Sequence, residues 1–331
     1  MAQSVVQGRR VKEKEIGTTF AVFIALAGDL SIAVIKFVAA GMSGSAAMLS
    51  EALHSLEDAA NQVLLLYGMK RSRVASDQQH ALGHGREVYF WSFIVALLIA
   101  VAAGVAVYEG LDHLIHPQPI QEPALVLAVL AISLLLDSAS LIVSLRESGP
   151  AIGRVGWWRA FRNSKNPPSF ITLFTNSAAL GGDVVAGAGM GLAITTGRSR
   201  WDAVASLIIG AFLAVSAALL ARESKGLLIG ERADPELGKA ILAAARGIEG
   251  IGQANGIATV QLAPDQVVVS LSIEFDDALH TTQIEAAVVE LERRLREAHP
   301  QITAVFVKPQ AAEEVRRRLA QGGIGVTPDG E

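Results

Sequence analysis

Glu51-Ala-Leu-His54-Ser-Leu-Glu57-Asp58 sets ionisable groups inside a helical stretch whose apolar body runs on through Val63-Leu-Leu-Leu-Tyr67. His54 and Asp58 stand four residues apart, so on a helix they share one face about one turn apart. Glu51, three residues before His54, lies close to the same stripe. Charge held inside a bilayer is costly and is retained chiefly to line an ion or proton path. An imidazole and a carboxylate aimed at one point suit a divalent transition metal better than calcium or magnesium. The fold therefore turns on whether this stretch crosses a membrane.

Composition says that it does. Of 331 residues 51% are hydrophobic and only 18% charged, too apolar for an ordinary soluble protein of this length. A net charge of -4 argues against a nucleic-acid partner. There is no cysteine, which excludes disulfides, thiolate metal sites and cysteine nucleophiles, and leaves any metal to His, Asp, Glu, Asn or backbone oxygen. Positions 1–16 are polar and basic, without the small-residue cleavage pattern of a signal peptide before the first apolar run.

Six apolar stretches are long enough to span a bilayer: 18–42, 46–69, 88–113, 124–145, 170–195 and 203–220. The second and fifth are the least purely apolar, as befits spans that face a protein interior. The first carries Asp29, and the fifth is rich in small residues (Gly181, Gly182, Gly187, Gly189, Gly191) that let helix backbones approach closely. A stack of core helices in a soluble protein is the competing explanation, and six such runs in succession make it poor. Lys and Arg set the orientation. Arg9, Arg10, Lys12 and Lys14 precede span one; Lys70, Arg71, Arg73 and Arg86 follow span two; Arg146, Arg154, Arg159, Arg162 and Lys165 follow span four. The alternate connections are nearly bare, so both termini are expected on the cytoplasmic side. Trp157, Trp158 and Trp201 read as interface anchors, His113 and His116 as interfacial residues, and Gly149-Pro150-Ala-Ile-Gly153 as loop.

After position 220 the pattern changes. Positions 234–248 and 281–298 read as amphipathic helices, and 257–262, 267–275 and 302–307 as strands, the first two joined by Ala263-Pro264-Asp265. The expected architecture is an α-helical membrane protein: six transmembrane helices followed by an α+β domain of order α-β-β-α-β, two helices on one face of a three-stranded sheet. The boundaries are an arm over 1–17, a membrane domain over 18–222, the α+β domain over 223–311 and a loose tail over 312–331.

Six spans, a His-x-x-x-Asp pair in span two, a Gly-His-Gly element before span three and a C-terminal α+β domain resemble the cation diffusion facilitators, over nearly the whole chain. Local phrases match as well: Ser43-Gly-Ser-Ala-Ala-Met-Leu, Glu51-Ala-Leu-His-Ser-Leu, Leu82-Gly-His-Gly-Arg-Glu and Leu227-Leu-Ile-Gly-Glu231. The run from Glu223 to Glu231 looks most like the branch with mitochondrial and bacterial zinc-transporter members. The resemblance implies a homodimer that exchanges zinc, or manganese, iron or cobalt, for protons, at a mid-membrane site with ligands from spans two and five. From span two the carry-over lands on His54 and Asp58, with Glu51 a nearby acid. In span five the family expects an acid pair or His-x-x-x-Asp; here Thr175-Asn176 precedes Ser177-Ala-Ala-Leu180. Asn176 can offer a carbonyl oxygen. Asp183, seven residues on, is either a displaced ligand or a polar packing residue. Zinc favours four ligands, so Glu51, Asn176, Asp183 or water must complete the set. The resemblance also puts a peripheral metal on the loop residues Asp77, His80 and His84, for which a solvated loop is the alternative. It implies a third, binuclear centre in the C-terminal domain, but Asn255, Ser272 and Val307 stand where its histidines would be, so dimerisation without metal there is expected.

The function implied is proton-coupled export of a divalent transition-metal cation, zinc foremost, by an integral protein of the bacterial inner membrane. No prosthetic group and no enzymatic chemistry are expected: Ser55 sits beside His54, but adjacent helical positions point apart. The alternative is a non-transporting relative that acts by binding metal or a partner.

Overall fold

A computed structural model describes residues 26–155 and 167–320. In chain order the elements are α1 (Leu26–Ser43), α2 (Ala46–Ser72), α3 (Glu87–Ile115), α4 (Pro123–Val155), α5 (Pro167–Thr196) and α6 (Arg200–Ile229). There follow α7 (Pro235–Arg246), β1 (Ile251–Ala263), β2 (Gln266–Phe275), α8 (Thr281–Ala298), β3 (Ile302–Pro309) and α9 (Ala312–Ala320). Five of these helices, α1, α3, α4, α5 and α6, are long and apolar enough to cross a membrane. The 27-residue α2 is as long, but Glu51, Glu57 and Asp58 hold its apolarity below theirs. Arg9, Arg10, Lys12, Lys14, Trp157 and Trp158 lie outside the described residues.

The described residues fall into two compact units, one made of residues 26–69, 91–155 and 168–223 and the other chiefly of 70–90 and 224–320. In the helical unit, Ala39, Met48, Val95, Ile99, Val126, Met190, Ile209 and Leu213 share one buried cluster, so all six helices contribute to a single core. Small side chains make that close approach possible. Gly44 turns the chain between α1 and α2 with a φ of 65°, and its N–H donates to Ala40 O at 2.9 Å. That left-handed position after a helix strongly favours glycine. At the start of α2 the buried Asp202 carboxylate, from the first turn of α6, accepts from Ser45 Oγ at 2.6 Å, Ala46 N at 2.7 Å and Ala47 N at 3.3 Å. It thus satisfies N–H groups that a helix N-terminus leaves without intrahelical partners. About one turn further in, Ser50 Oγ and Ser206 Oγ lie 2.7 Å apart, and Ser206 donates on to Ala106 O at 2.8 Å, tying α2 to α6 and α3.

In the C-terminal domain β1 pairs antiparallel with β2 and β2 pairs parallel with β3, giving a mixed three-stranded sheet in the order β1-β2-β3. Ile241, Leu242 and Ala245 of α7 and Leu291 and Leu295 of α8 enter one core with Val267, Val269, Leu271 and Ile273 of β2. Asp234 caps α7 by accepting from Glu236 N at 2.9 Å, with Pro235 in its first turn.

Three expectations from the sequence are corrected. Gly149-Pro150-Ala-Ile-Gly153 is not loop: α4 runs through it to Val155, because a proline removes only one backbone donor and the flanking turns keep theirs. β1 begins six residues before the expected 257, since Gly252, Asn255 and Gly256 sit at register shifts that break the alternation used to find strands. The tail expected to be loose from 312 starts with a nine-residue helix, α9, whose Val315 is buried and whose first residue donates to Glu274 Oε2 at 3.0 Å.

Candidate functional site

On α2, His54 and Glu57 are 4% exposed at the side chain and Asp58 21%. His54 Nδ1 donates to Glu57 Oε2 at 3.2 Å, which turns Nε2 toward Asp58 Oδ2 at 3.9 Å. His54 Nε2 and Asp58 Oδ1 are buried with no hydrogen-bond partner. One ligand atom from each of His54, Glu57 and Asp58 falls within 4.8 Å of the others. A carboxylate that takes one ring N–H and leaves the other nitrogen facing a second carboxylate is the arrangement that orients histidines on metals. Asp29 of α1, Asp137 of α4 and Asp58 are close enough to interact electrostatically, and Asp29 accepts a hydrogen bond from Gln62.

The remaining expected ligands are engaged elsewhere. Lys36 of α1, 1% exposed, donates to Glu51 Oε2 at 3.0 Å and to Asp183 Oδ1 at 2.9 Å, so Glu51 and Asp183 meet an ammonium rather than joining His54 and Asp58. Asn176 donates from Nδ2 to Ser144 Oγ of α4 at 2.7 Å. Asp137 interacts electrostatically with Asp183. Gly182 makes room for Glu51: a Cβ there would collide with Glu51 Oε1. Sequence reasoning passed over Lys36, Asp137 and the orienting role of Glu57. The signal was present, since Lys36 in Ile35-Lys36-Phe37 and Asp137 in Leu136-Asp137-Ser138 are ionisable groups inside apolar runs.

The loop between α2 and α3 brings together Asp77, His80 and His84, with ligand atoms again within 4.8 Å of one another. Asp77 Oδ1 accepts from Gln79 N at 2.8 Å and His80 N at 2.6 Å, so the carboxylate folds its own loop. His84 lies between two carboxylates, Nε2 to Asp77 Oδ2 at 3.1 Å and Nδ1 to Glu87 Oε1 at 3.2 Å. Glu87 is also gripped by Arg71, with Nη2 to Oε1 at 2.8 Å. The His80 N–H, then His84, hold the Asp77 carboxyl well below the usual carboxylate range. Two histidines and an ionised acid at this spacing fit a zinc-like cation.

Among the described residues these are the two clusters of three that can hold a metal ion. In the C-terminal domain Asn255 Nδ2 donates to Gln310 O at 2.8 Å and Ser272 Oγ to Gln310 Oε1 at 3.3 Å. His116 lies 3.1 Å from Asp112 and is well exposed, and Trp201 is 39% exposed.

Long apolar helices with acids and histidine buried among them define an integral membrane protein with polar groups inside its helical unit. Residues 22–229 match the family described as the cation efflux transmembrane domain, and the chain belongs to it, the cation diffusion facilitators. The chain is 35% identical over 205 residues to the mitochondrial proton-coupled zinc antiporter SLC30A9 of Mus musculus, covering 61% of this chain and 36% of that protein. It is 28% identical to metal tolerance protein C4 of Arabidopsis thaliana, over 70% of this chain and 51% of that one. With the cation-efflux pump FieF of Pectobacterium atrosepticum the identity is 25%, over 85% and 89%. The match therefore spans about a third of the length of the antiporter relatives.

Proposed function

We propose that the protein exports a divalent transition-metal cation in exchange for protons, with zinc as the principal cargo and manganese, iron and cobalt as the alternatives. The observation that carries this is the His54–Glu57–Asp58 group: His54 Nε2 is buried without a hydrogen-bond partner 3.9 Å from Asp58 Oδ2, and Asp58 Oδ1 is also buried without one. Glu57 fixes the ring, and His54 Nε2 and Asp58 bind the cation, with water completing the coordination in this conformation. Binding requires an unprotonated Nε2 and an ionised Asp58, so each proton that enters from the far side competes for the same atoms and helps expel the metal. No enzymatic step and no prosthetic group are part of this function.

The six-span arrangement includes α2 as a span whose charged stripe faces the interior, with both termini cytoplasmic. The protein works as a homodimer in the bacterial inner membrane; one similar protein is a cation-efflux pump of a bacterium, whereas the zinc antiporter relatives are named as mitochondrial. The loop residues Asp77, His80 and His84 hold a second, peripheral cation.

The deciding experiment is metal flux in proteoliposomes across a pH gradient, with zinc, manganese, iron and cobalt offered in turn. Zinc movement against an inward proton gradient that disappears in His54→Ala supports export; flux that survives His54→Ala overturns the site. One observation favours a second function, a non-transporting metal or partner binder: Thr175-Asn176 stands in place of an acid pair, and Asn176 is bound to Ser144. Absence of flux for every ion, with metal still bound, would establish that function.

A further inference from the structure

The Lys36 ammonium lies between α1, α2 and α5, 1% exposed, with Glu51 Oε2 at 3.0 Å and Asp183 Oδ1 at 2.9 Å. Both carboxylates are fully buried, and each keeps one oxygen, Glu51 Oε1 and Asp183 Oδ2, without a hydrogen-bond partner. Asp137 adds a third acid that interacts with Asp183, and Gly182 leaves the space Glu51 needs. The arrangement has what a cation site requires: two buried acids from different helices, oxygens left over, and a cation already seated between them. That cation is covalently part of the chain.

We propose that Glu51 and Asp183 form a second intramembrane cation site, and that Lys36 is the tethered occupant that keeps divalent metal out of it in this conformation. Metal is thereby confined to His54 and Asp58, and the second acid pair is neutralised without cargo. Lys36 is a specificity-determining residue: it decides which of the membrane acids are available as ligands. A point charge on a flexible stem suits the task, because it can withdraw when the helices move and leave two carboxylates facing an incoming dication. The inference builds on the proposed transport site, but its test reads the Glu51–Asp183 pair separately.

The test uses the full chain in detergent, with the loop cluster silenced by His80→Ala and His84→Ala, and counts bound cobalt(II) and zinc by equilibrium dialysis and the cobalt absorption spectrum. Lys36→Met is expected to bind one more cation per chain than this parent, with a new absorption band, and Lys36→Arg to bind the parent number. Lys36→Gln, whose polar amide suits a buried acidic site better than a thioether, is a second neutral variant in case Lys36→Met does not fold, and the same gain is expected of it. Adding Glu51→Gln and Asp183→Asn to either neutral variant should remove the extra cation and restore the parent count. An unchanged count in a folded neutral variant overturns the inference, as does loss of the parent's own cation when Glu51 and Asp183 are neutralised. A parent that binds no cation in its membrane unit, while Lys36→Met binds one, would instead count against the His54–Asp58 site and leave Lys36 as the occupant of the other.

Discussion

At the level of single residues, Glu57 and Gly182 act through what they hold in place. Glu57 fixes the ring of His54 through Nδ1, at 3.2 Å. Outer partners of this kind are worth 10–100-fold in metal affinity, so Glu57→Gln should weaken zinc binding by roughly that factor. Calorimetric titration of the loop-silenced protein checks it, and unchanged affinity would remove Glu57 from the site. Gly182 permits the Lys36–Glu51 contact, since a methyl group there meets the Glu51 carboxylate. Overpacking of this sort costs about 1–3 kcal/mol, so Gly182→Ala should unfold at a lower temperature than Gly181→Ala, whose added Cβ meets nothing within 4 Å. The two melting curves in one detergent decide the matter. His54 and Asp58 are legible as a pair from their spacing alone. That Asn176 turns to Ser144 is not, because Ser144 is 32 positions away in the chain and no local pattern links them.

Among the elements, α2 depends on α6 for its start. The Asp202 carboxylate, 1% exposed, takes the Ser45 hydroxyl and the Ala46 and Ala47 amides. A charge-assisted cap lost from a buried position costs about 1.5–3 kcal/mol, so Asp202→Ala should destabilise the helical unit by that order, measured by thermal unfolding. The loop before α3 is organised by Asp77, whose carboxyl is held below its ordinary range by the His80 amide and by His84. A lowered folded value gives stability that is full above the unfolded carboxylate range, declines progressively as pH falls from that range toward the lowered value, and is gone below it. The loop should therefore keep its slow amide exchange at His80 and Gly83 at neutral pH and lose it progressively as pH falls below the ordinary carboxylate range, while Asp77→Ala loses it at neutral pH. Exchange mass spectrometry reads both. Helix α8 is legible to the residue at 281–298, because its apolar period is strong and His280 precedes a Gln283 that accepts its N–H at 2.9 Å. β1 is legible only in its second half, where alternation survives the irregular pairing.

For the molecule as a whole, the chain determines its class by itself. Apolar length and the spacing of His54 and Asp58 are local quantities, and they identify long helices of membrane type, an acid–histidine stripe on one of them and a small mixed α+β domain after them. The proposed homodimer is expected to persist after chelation, since Asn255 and Ser272 are committed to Gln310 rather than to metal. Light scattering of the purified protein with and without a chelator checks this, and dissociation on chelation would show a metal-held interface. What the chain does not determine locally is how its buried charges are shared. Glu51 is equally a neighbour of His54 by sequence, and Asp183 is the lone acid of its span, so both look like ligands for one cation. Only the packing of α1 against α2 and α5 brings Lys36 to them, across 15 and 147 positions. The physical reason is that a buried charge must find an opposite charge nearby, and which one it finds depends on helix positions that no periodicity encodes.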